Sequence, residues 1–249
     1  MNCLFVLASL LTLGVLAVSG NVENRIVDAL AAAPGQFRYQ ASLRNQSNGH
    51  FCGASIIKPY YVLTSAKCVY GKYPQSVYVV VGTNDLVVGG THLSVSSIIS
   101  HERYDSSTFK NNIALVKTTG NMLSVPQTSS VALNIASTYP GQKAVLSGWG
   151  KELLSLPTYS NHLRYAEFYV LSLDDCKREL RDYPVDYDNI CTKASRAGGC
   201  DGDNGGPLVS TDRIQIGVLS WGIPCAVGTP DVYTSVSQHY GWIEDHSFN

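Results

Sequence analysis

Apolar and polar side chains alternate along one early stretch, with Phe37, Tyr39, Ala41 and Leu43 set against Arg38, Gln40, Ser42 and Arg44. A period of two puts successive side chains on opposite faces, so the pattern predicts a half-buried strand. Further strand-like runs are Ser76–Val81, Ala144–Ser147, Tyr165–Leu171 and Gln215–Ser220. Short runs of this kind, separated by Gly, Asn and Pro turns, predict an all-β domain built as barrels or as a sandwich. Helical signals are confined to two places. Ser172 and Asp175 have the spacing of a capping box at a helix start. A second helix is predicted over about residues 236–244, at the C-terminal end.

The N-terminal stretch has a different pattern. Leu4 to Val18 is almost continuously apolar, broken only by Ser9, Thr12 and Gly14, and it ends in small residues up to Gly20. That predicts a signal peptide over residues 1–20 and a secreted, extracellular product. The run falls short of the roughly 20 apolar residues a membrane span needs, so no membrane partner is expected. Over the whole chain, 45% hydrophobic and 15% charged residues exclude a disordered protein. A formal net charge of -1 gives no footing for nucleic acid. With Cys3 lost in the signal, an even set remains: Cys52, Cys68, Cys176, Cys191, Cys200 and Cys225. In a secreted chain these predict disulfides, with the pairing open. No Cys-x-x-Cys pair occurs, and neither a metal nor a cofactor is expected. Asn45-Gln46-Ser47 is a glycosylation sequon on a predicted surface turn, which makes Asn45 a candidate glycan site.

Three motifs carry a family resemblance. Cys200-Asp201-Gly202-Asp203-Asn204-Gly205-Gly206-Pro207 is similar to the G-D-S-G-G-P loop of the chymotrypsin-like serine proteases, with Asn204 at the position of the serine. Val62-Leu63-Thr64-Ser65-Ala66-Lys67-Cys68 resembles that family's L-T-A-A-H-C segment, with Lys67 in place of histidine. Asn111-Asn112-Ile113-Ala114-Leu115 resembles N-D-I-A-L, with Asn112 in place of aspartate. The resemblance runs from Ile26 to Ile243 and is nearest in pattern to insect chymotrypsins.

The resemblance implies two six-stranded antiparallel barrels and a short C-terminal helix. The first barrel would span about residues 26–130 and the second about 131–235, within a domain of residues 26–249. It also implies the disulfides Cys52–Cys68, Cys176–Cys191 and Cys200–Cys225. Residues 21–25 read as a propeptide of a zymogen, cleaved after Arg25 so that the Ile26 ammonium pairs with Asp203. Backbone N–H groups of Gly202 and Asn204 would form an oxyanion hole. Gly198, Ser220, Trp221, Gly222 and Asp231 would frame the specificity pocket. His50, just before Phe51-Cys52, is expected to be structural.

The family's mechanism needs a nucleophile, a base titrating near neutrality and a carboxylate that orients it. An asparagine amide offers no usable nucleophile, and lysine is protonated near pH 7. The expectation is therefore a pseudoenzyme that binds proteins or peptides without cutting them. Proteases, inhibitors or immune components are the expected partners, in roles such as protease cofactor, immune regulator, venom component or decoy. The alternative is a secreted chymotrypsin-like endopeptidase that still cleaves. The pattern sets no oligomeric state.

Overall fold

A computed structural model describes residues 29–152, 155–194, 197–223, 225 and 228–248. The predicted signal peptide, propeptide and Arg25-Ile26 junction lie outside the described residues. A short strand, β1 (Leu30–Ala31), comes first. Six strands then close the first barrel: β2 (Gln40–Arg44), β3 (His50–Lys58), β4 (Tyr61–Thr64), β5 (Tyr78–Val81), β6 (Thr91–Ser100) and β7 (Ala114–Thr118). After β8 (Ala132–Leu133), a second antiparallel ring follows. It comprises β9 (Lys143–Gly148), β10 (Arg164–Val170), β11 (Asn189–Lys193), β12 (Pro207–Ser210), β13 (Ile214–Trp221) and β14 (Asp231–Ser235). Pairing of β9 with both β10 and β12 closes it, while β1 pairs with β10 and β8 with β13. The all-β expectation resolves to barrels rather than a sandwich.

Each barrel has its own core. Leu43, Ile56, Val62, Val79 and Val116 fill the first. Ala144, Leu146, Phe168, Leu208 and Ile216 fill the second. A third cluster joins the two, setting Leu63, Ile113 and Leu115 of the first barrel against Val209 and Val218 of the second. Ile243 of the C-terminal helix completes this cluster and is fully buried. Buried hydrogen bonds cross the same seam. The Ser55 hydroxyl donates to Gln215 Oε1 at 2.7 Å, and the Ser147 hydroxyl to Gln40 Oε1 at 2.7 Å.

Several local expectations need correction. The strand read from Phe37 begins at Gln40, and all five of its residues are buried rather than alternating. Both of its faces are covered, so its polar side chains find internal partners. Arg44 illustrates this, donating through Nη1 to Leu86 O at 2.9 Å and through Nε to Ser42 Oγ at 3.1 Å. The run read from Ser76 opens as a 3-10 turn at Pro74–Ser76, where proline starts the turn, and the strand follows at Tyr78. Beyond the two expected helices there is a four-residue one, α1 (Ala66–Val69), too short to show a periodicity. The helix α2 (Leu173–Glu179) starts at the Ser172 cap, whose hydroxyl accepts from Asp175 N at 3.0 Å. The C-terminal helix α3 (Tyr240–His246) lies later than the predicted 236–244, because Ser237–His239 forms a 3-10 turn before it. The three disulfides are Cys52–Cys68, Cys176–Cys191 and Cys200–Cys225.

The cleft lies at the seam between the barrels, so the packing of that seam has a measurable consequence. Ile243→Ala removes a fully buried side chain from the cluster that joins the two barrels. It is expected to cost about 2–5 kcal/mol, and a thermal melt should show it as a drop of several degrees or more. An unchanged melting temperature would mean that α3 contributes nothing to holding the barrels together.

Candidate functional site

The loop from Gly198 to Gly206 leads into β12 and is pinned almost wholly through its backbone. Gly205 N–H donates to Leu219 O at 2.8 Å, Gly206 N–H to Asp203 O at 2.8 Å, and Gly53 N–H to Asn204 O at 2.9 Å. The last bond ties the loop to the first barrel. Gly205 sits at a φ of +80°, and a Cβ there would lie 2.2 Å from Thr64 Oγ1. Only glycine allows that conformation and approach together. Under the loop, the Asp203 carboxylate is almost completely buried. Its Oδ1 accepts from Gly150 N–H at 2.7 Å and its Oδ2 from Cys200 N–H at 3.1 Å. Burial pushes its pKa up to about 6, partly offset by those two N–H groups. Its expected partner, Ile26, lies outside the described residues, as does Arg25.

Two further contacts set the direction of the loop's free donors. The carbonyl of Asp201 accepts from Lys151 N–H at 2.9 Å, and that of Asp203 from Gly206 N–H at 2.8 Å. In a trans peptide the N–H points opposite to the C=O. The N–H groups of Gly202 and Asn204 therefore face away from those contacts, and neither has an acceptor among the described residues. The Gly202 carbonyl is held in turn by His50 Nε2 at 2.9 Å. His50 is buried, with Nδ1 2.8 Å from Ser42 Oγ and its ring edge-on to Trp149 and Tyr159. Burial lowers its pKa to about 4, so it is neutral at physiological pH and braces the loop as a structural group.

The three substituted positions come together. Lys67 lies on α1, and its backbone N–H donates to Asn112 Oδ1 at 2.8 Å. Asn112 is fully buried; its Nδ2 donates to Ser220 Oγ at 2.8 Å, and its carbonyl accepts from Thr234 Oγ1 at 2.9 Å. Its amide is thus oriented from both sides, oxygen toward Lys67 and nitrogen toward Ser220. The Lys67 ammonium lies 5.0 Å from the centre of the Phe109 ring, within cation–π range. Although the residue as a whole is exposed, partial desolvation of its ammonium lowers the lysine's pKa below its usual range, and the Asp201 charge partly restores it. Lys67 and Asn204 both line a cavity of about 60 Å³, together with Gly199, Asp201, Trp221, Gly222 and Asp231.

Of the residues expected to frame a pocket, Trp221, Gly222 and Asp231 line this cavity. Gly198 does not; it lines a smaller space beside Asp203. Ser220 faces Asn112 instead. Asp231 is buried, and its Oδ2 accepts from Gly199 N–H at 2.6 Å. Phe109 was not singled out in the sequence; its position three residues before Asn112, in an otherwise polar loop, is the signal that could have found it. Tyr183, whose ring lies 5.6 Å from that of Trp221, gave no sequence signal. Asn45 is exposed on the turn between β2 and β3, where its Oδ1 accepts from Gly49 N–H at 2.8 Å. Among the described residues, no group of three or more His, Cys, Asp or Glu is placed to hold a metal ion. No helix among them is long and apolar enough to cross a membrane.

Two barrels meeting at a cleft, with a glycine-rich loop between them, define the fold of the trypsin-like serine proteases. The family described as Trypsin matches residues 26–243, and the chain belongs to it. Chymotrypsin-2 of Vespa crabro is 35% identical over 221 residues, covering 88% of this chain and 98% of that one. Trypsin beta of Drosophila erecta is 32% identical over 225 residues, covering 89% of this chain and 88% of its own. Among solved structures, neuropsin, a serine protease expressed in the limbic system of mouse brain, superposes with a TM-score of 0.80. It shares 27% identity, over 88% of this chain and 98% of that one.

Asp231 gives the site a pH signature. Burial, reinforced by the Asp203 charge and opposed by the Gly199 N–H, raises its pKa from 3.8 to about 7. A carboxylate raised on folding binds more protons in the native than in the unfolded state between these values. Its contribution to stability is therefore greatest below about pH 4 and is lost as pH rises toward 7. Asp203, raised to about 6, acts in the same sense and His50, lowered on folding, in the opposite one, so the three must be separated by substitution. Asp231→Asn is expected to remove part of the loss in denaturation midpoint between pH 4 and 7. A pH profile identical to that of the natural protein would contradict the assignment.

Proposed function

We propose that this chain is a secreted, non-catalytic member of the trypsin family that binds peptides or protein segments in its cleft. The observation that carries the reading is the constellation Lys67, Asn112 and Asn204. Asn204 has no hydroxyl or thiol for a base to activate. Lys67 is turned to the Phe109 ring, and its ammonium is no proton acceptor at neutral pH. Asn112 presents an amide where a carboxylate would stabilise a positively charged base. The surrounding frame supports retention of a binding role. The loop keeps two outward N–H donors, and Trp221 and Gly222 at the end of β13 leave a backbone edge to which an extended peptide can add. The apolar run Leu4–Val18 and the three disulfides support secretion.

Protein or peptide ligands such as proteases, inhibitors or immune components fit a cleft of this kind. The second reading, an active secreted endopeptidase, draws on the relatives, which are named as trypsins and a chymotrypsin. Fold alone does not decide between the two, because chemistry belongs to the site.

The test compares the natural protein, cleaved after Arg25, with the triple variant Lys67→His, Asn112→Asp, Asn204→Ser. Both are treated with a fluorophosphonate probe and with peptide substrates. The variant is expected to label and to cleave, while the natural protein does neither. Turnover by the natural protein sinks the non-catalytic reading. A variant that folds but fails to label would show that the cleft itself is not competent.

A further inference from the structure

The centre of the cleft has changed sign. A histidine, aspartate and serine together carry one negative charge at neutral pH, whereas Lys67, Asn112 and Asn204 together carry one positive charge. Asn204 lines the same cavity as Lys67, and the N–H groups of Gly202 and Asn204 are turned away from the loop interior and have no acceptors among the described residues. Among the same residues Lys67 has no ion pair; its one described side-chain partner is the Phe109 ring. The acidic groups nearby are engaged. Asp201 pairs with Lys151 at 3.2 Å, and Asp231 is bonded to Gly199 N–H with its charge weakened by burial. Lys67 and Asn204 line one small space, with the unengaged Gly202 N–H two residues before Asn204. An ammonium and backbone donors suit an anion with two oxygens, and backbone N–H groups capture chain-terminal carboxylates in this way.

We propose that the cleft recognises the free C-terminal carboxylate of a peptide, held by the Gly202 and Asn204 N–H groups and by the Lys67 ammonium. This rests on the non-catalytic, peptide-binding reading above and names its ligand class. The chain leading to the carboxylate would run along the backbone edge at Trp221 and Gly222. There Gly222 is required, since a Cβ would lie 2.6 Å from Asp231 Oδ1. Upstream side chains meet an aromatic surface made by Phe109, Trp221 and Tyr183. The terminal side chain enters the cavity of about 60 Å³, which holds only a few waters and so admits a small residue such as alanine. In a working protease such a terminus is a product to be released. Here the same donors, with a lysine added, retain it.

The test uses protein cleaved after Arg25 and two fluorescent peptides, acetyl-Phe-Leu-Phe-Ala with a free carboxylate and the same peptide as its C-terminal amide. Anisotropy titrations give the affinities. Charge-assisted bonds to a carboxylate should make the acid bind at least about ten-fold more tightly than the amide. Lys67→Met should bring the acid down toward the amide, and Lys67→Arg should keep the preference. Lys67 is exposed, so both variants are expected to fold, with thermal melts as the check. Equal, measurable binding of acid and amide would overturn the carboxylate proposal and leave peptide binding standing. An acid preference that survives Lys67→Met would remove Lys67 from the site and overturn the proposal as stated. Binding of neither peptide would overturn the proposal and the cleft-binding reading together.

Discussion

The buried carboxylate of Asp203 is the constraint around which the rest of the site is arranged. An unpaired charge in that position is costly, so the structure surrounds it with donors. Gly150 and Cys200 supply N–H groups, and glycine is needed on both sides of Trp149, because a Cβ at Gly148 or Gly150 would lie about 2 Å from a carboxylate oxygen. Held there, Asp203 fixes the turn of the loop above it. The turn sends the Asp201 and Asp203 carbonyls inward to Lys151 and Gly206, and so sends the Gly202 and Asn204 N–H groups the other way. The donors of the cleft are thus a consequence of backbone folding over a buried acid. They do not depend on the side chain at position 204.

The frame of the site is likewise independent of the side chains at positions 67, 112 and 204. Lys67, Asn112 and Asn204 are tied into the protein mainly through backbone atoms and one oriented amide. Asn112 keeps two of the contacts a carboxylate could make there, accepting from Lys67 N–H and meeting Ser220, at no charge. The barrels meanwhile are fixed by their own cores, by the cluster between them and by buried polar joints such as Ser55 with Gln215. None of these involves the substituted side chains. The geometry of the cleft is thus set apart from the side chains that give it its polarity.

Much of this was legible in the sequence, for reasons that differ by element. Strand β10 shows the plainest period, with Ala166, Phe168 and Val170 buried and Glu167 and Tyr169 exposed, because one of its faces meets solvent. Strand β2 has the same written alternation and none of the same exposure, since Gln40 and Arg44 are buried against partners far away in the chain and Ser42 against His50 and Arg44. The glycines and Asp203 of the loop were readable as a motif, because a positive φ and a buried acid leave few residue choices. Phe109 and Tyr183 were not readable, as their roles come from tertiary placement beside Lys67 and Trp221. The small helix α1 was invisible for a similar reason; four residues carry no period, and the Cys52–Cys68 disulfide and the Asn112 contact hold it in place.

The central question is whether the cleft holds peptides without cutting them. The most direct measurement incubates the natural protein, cleaved after Arg25, with a proteome-derived peptide library and reads bound and free fractions by mass spectrometry. A subset of peptides is expected to be enriched on the protein, each recovered at its original length. New peptide termini that accumulate with time in proportion to the protein added would contradict it.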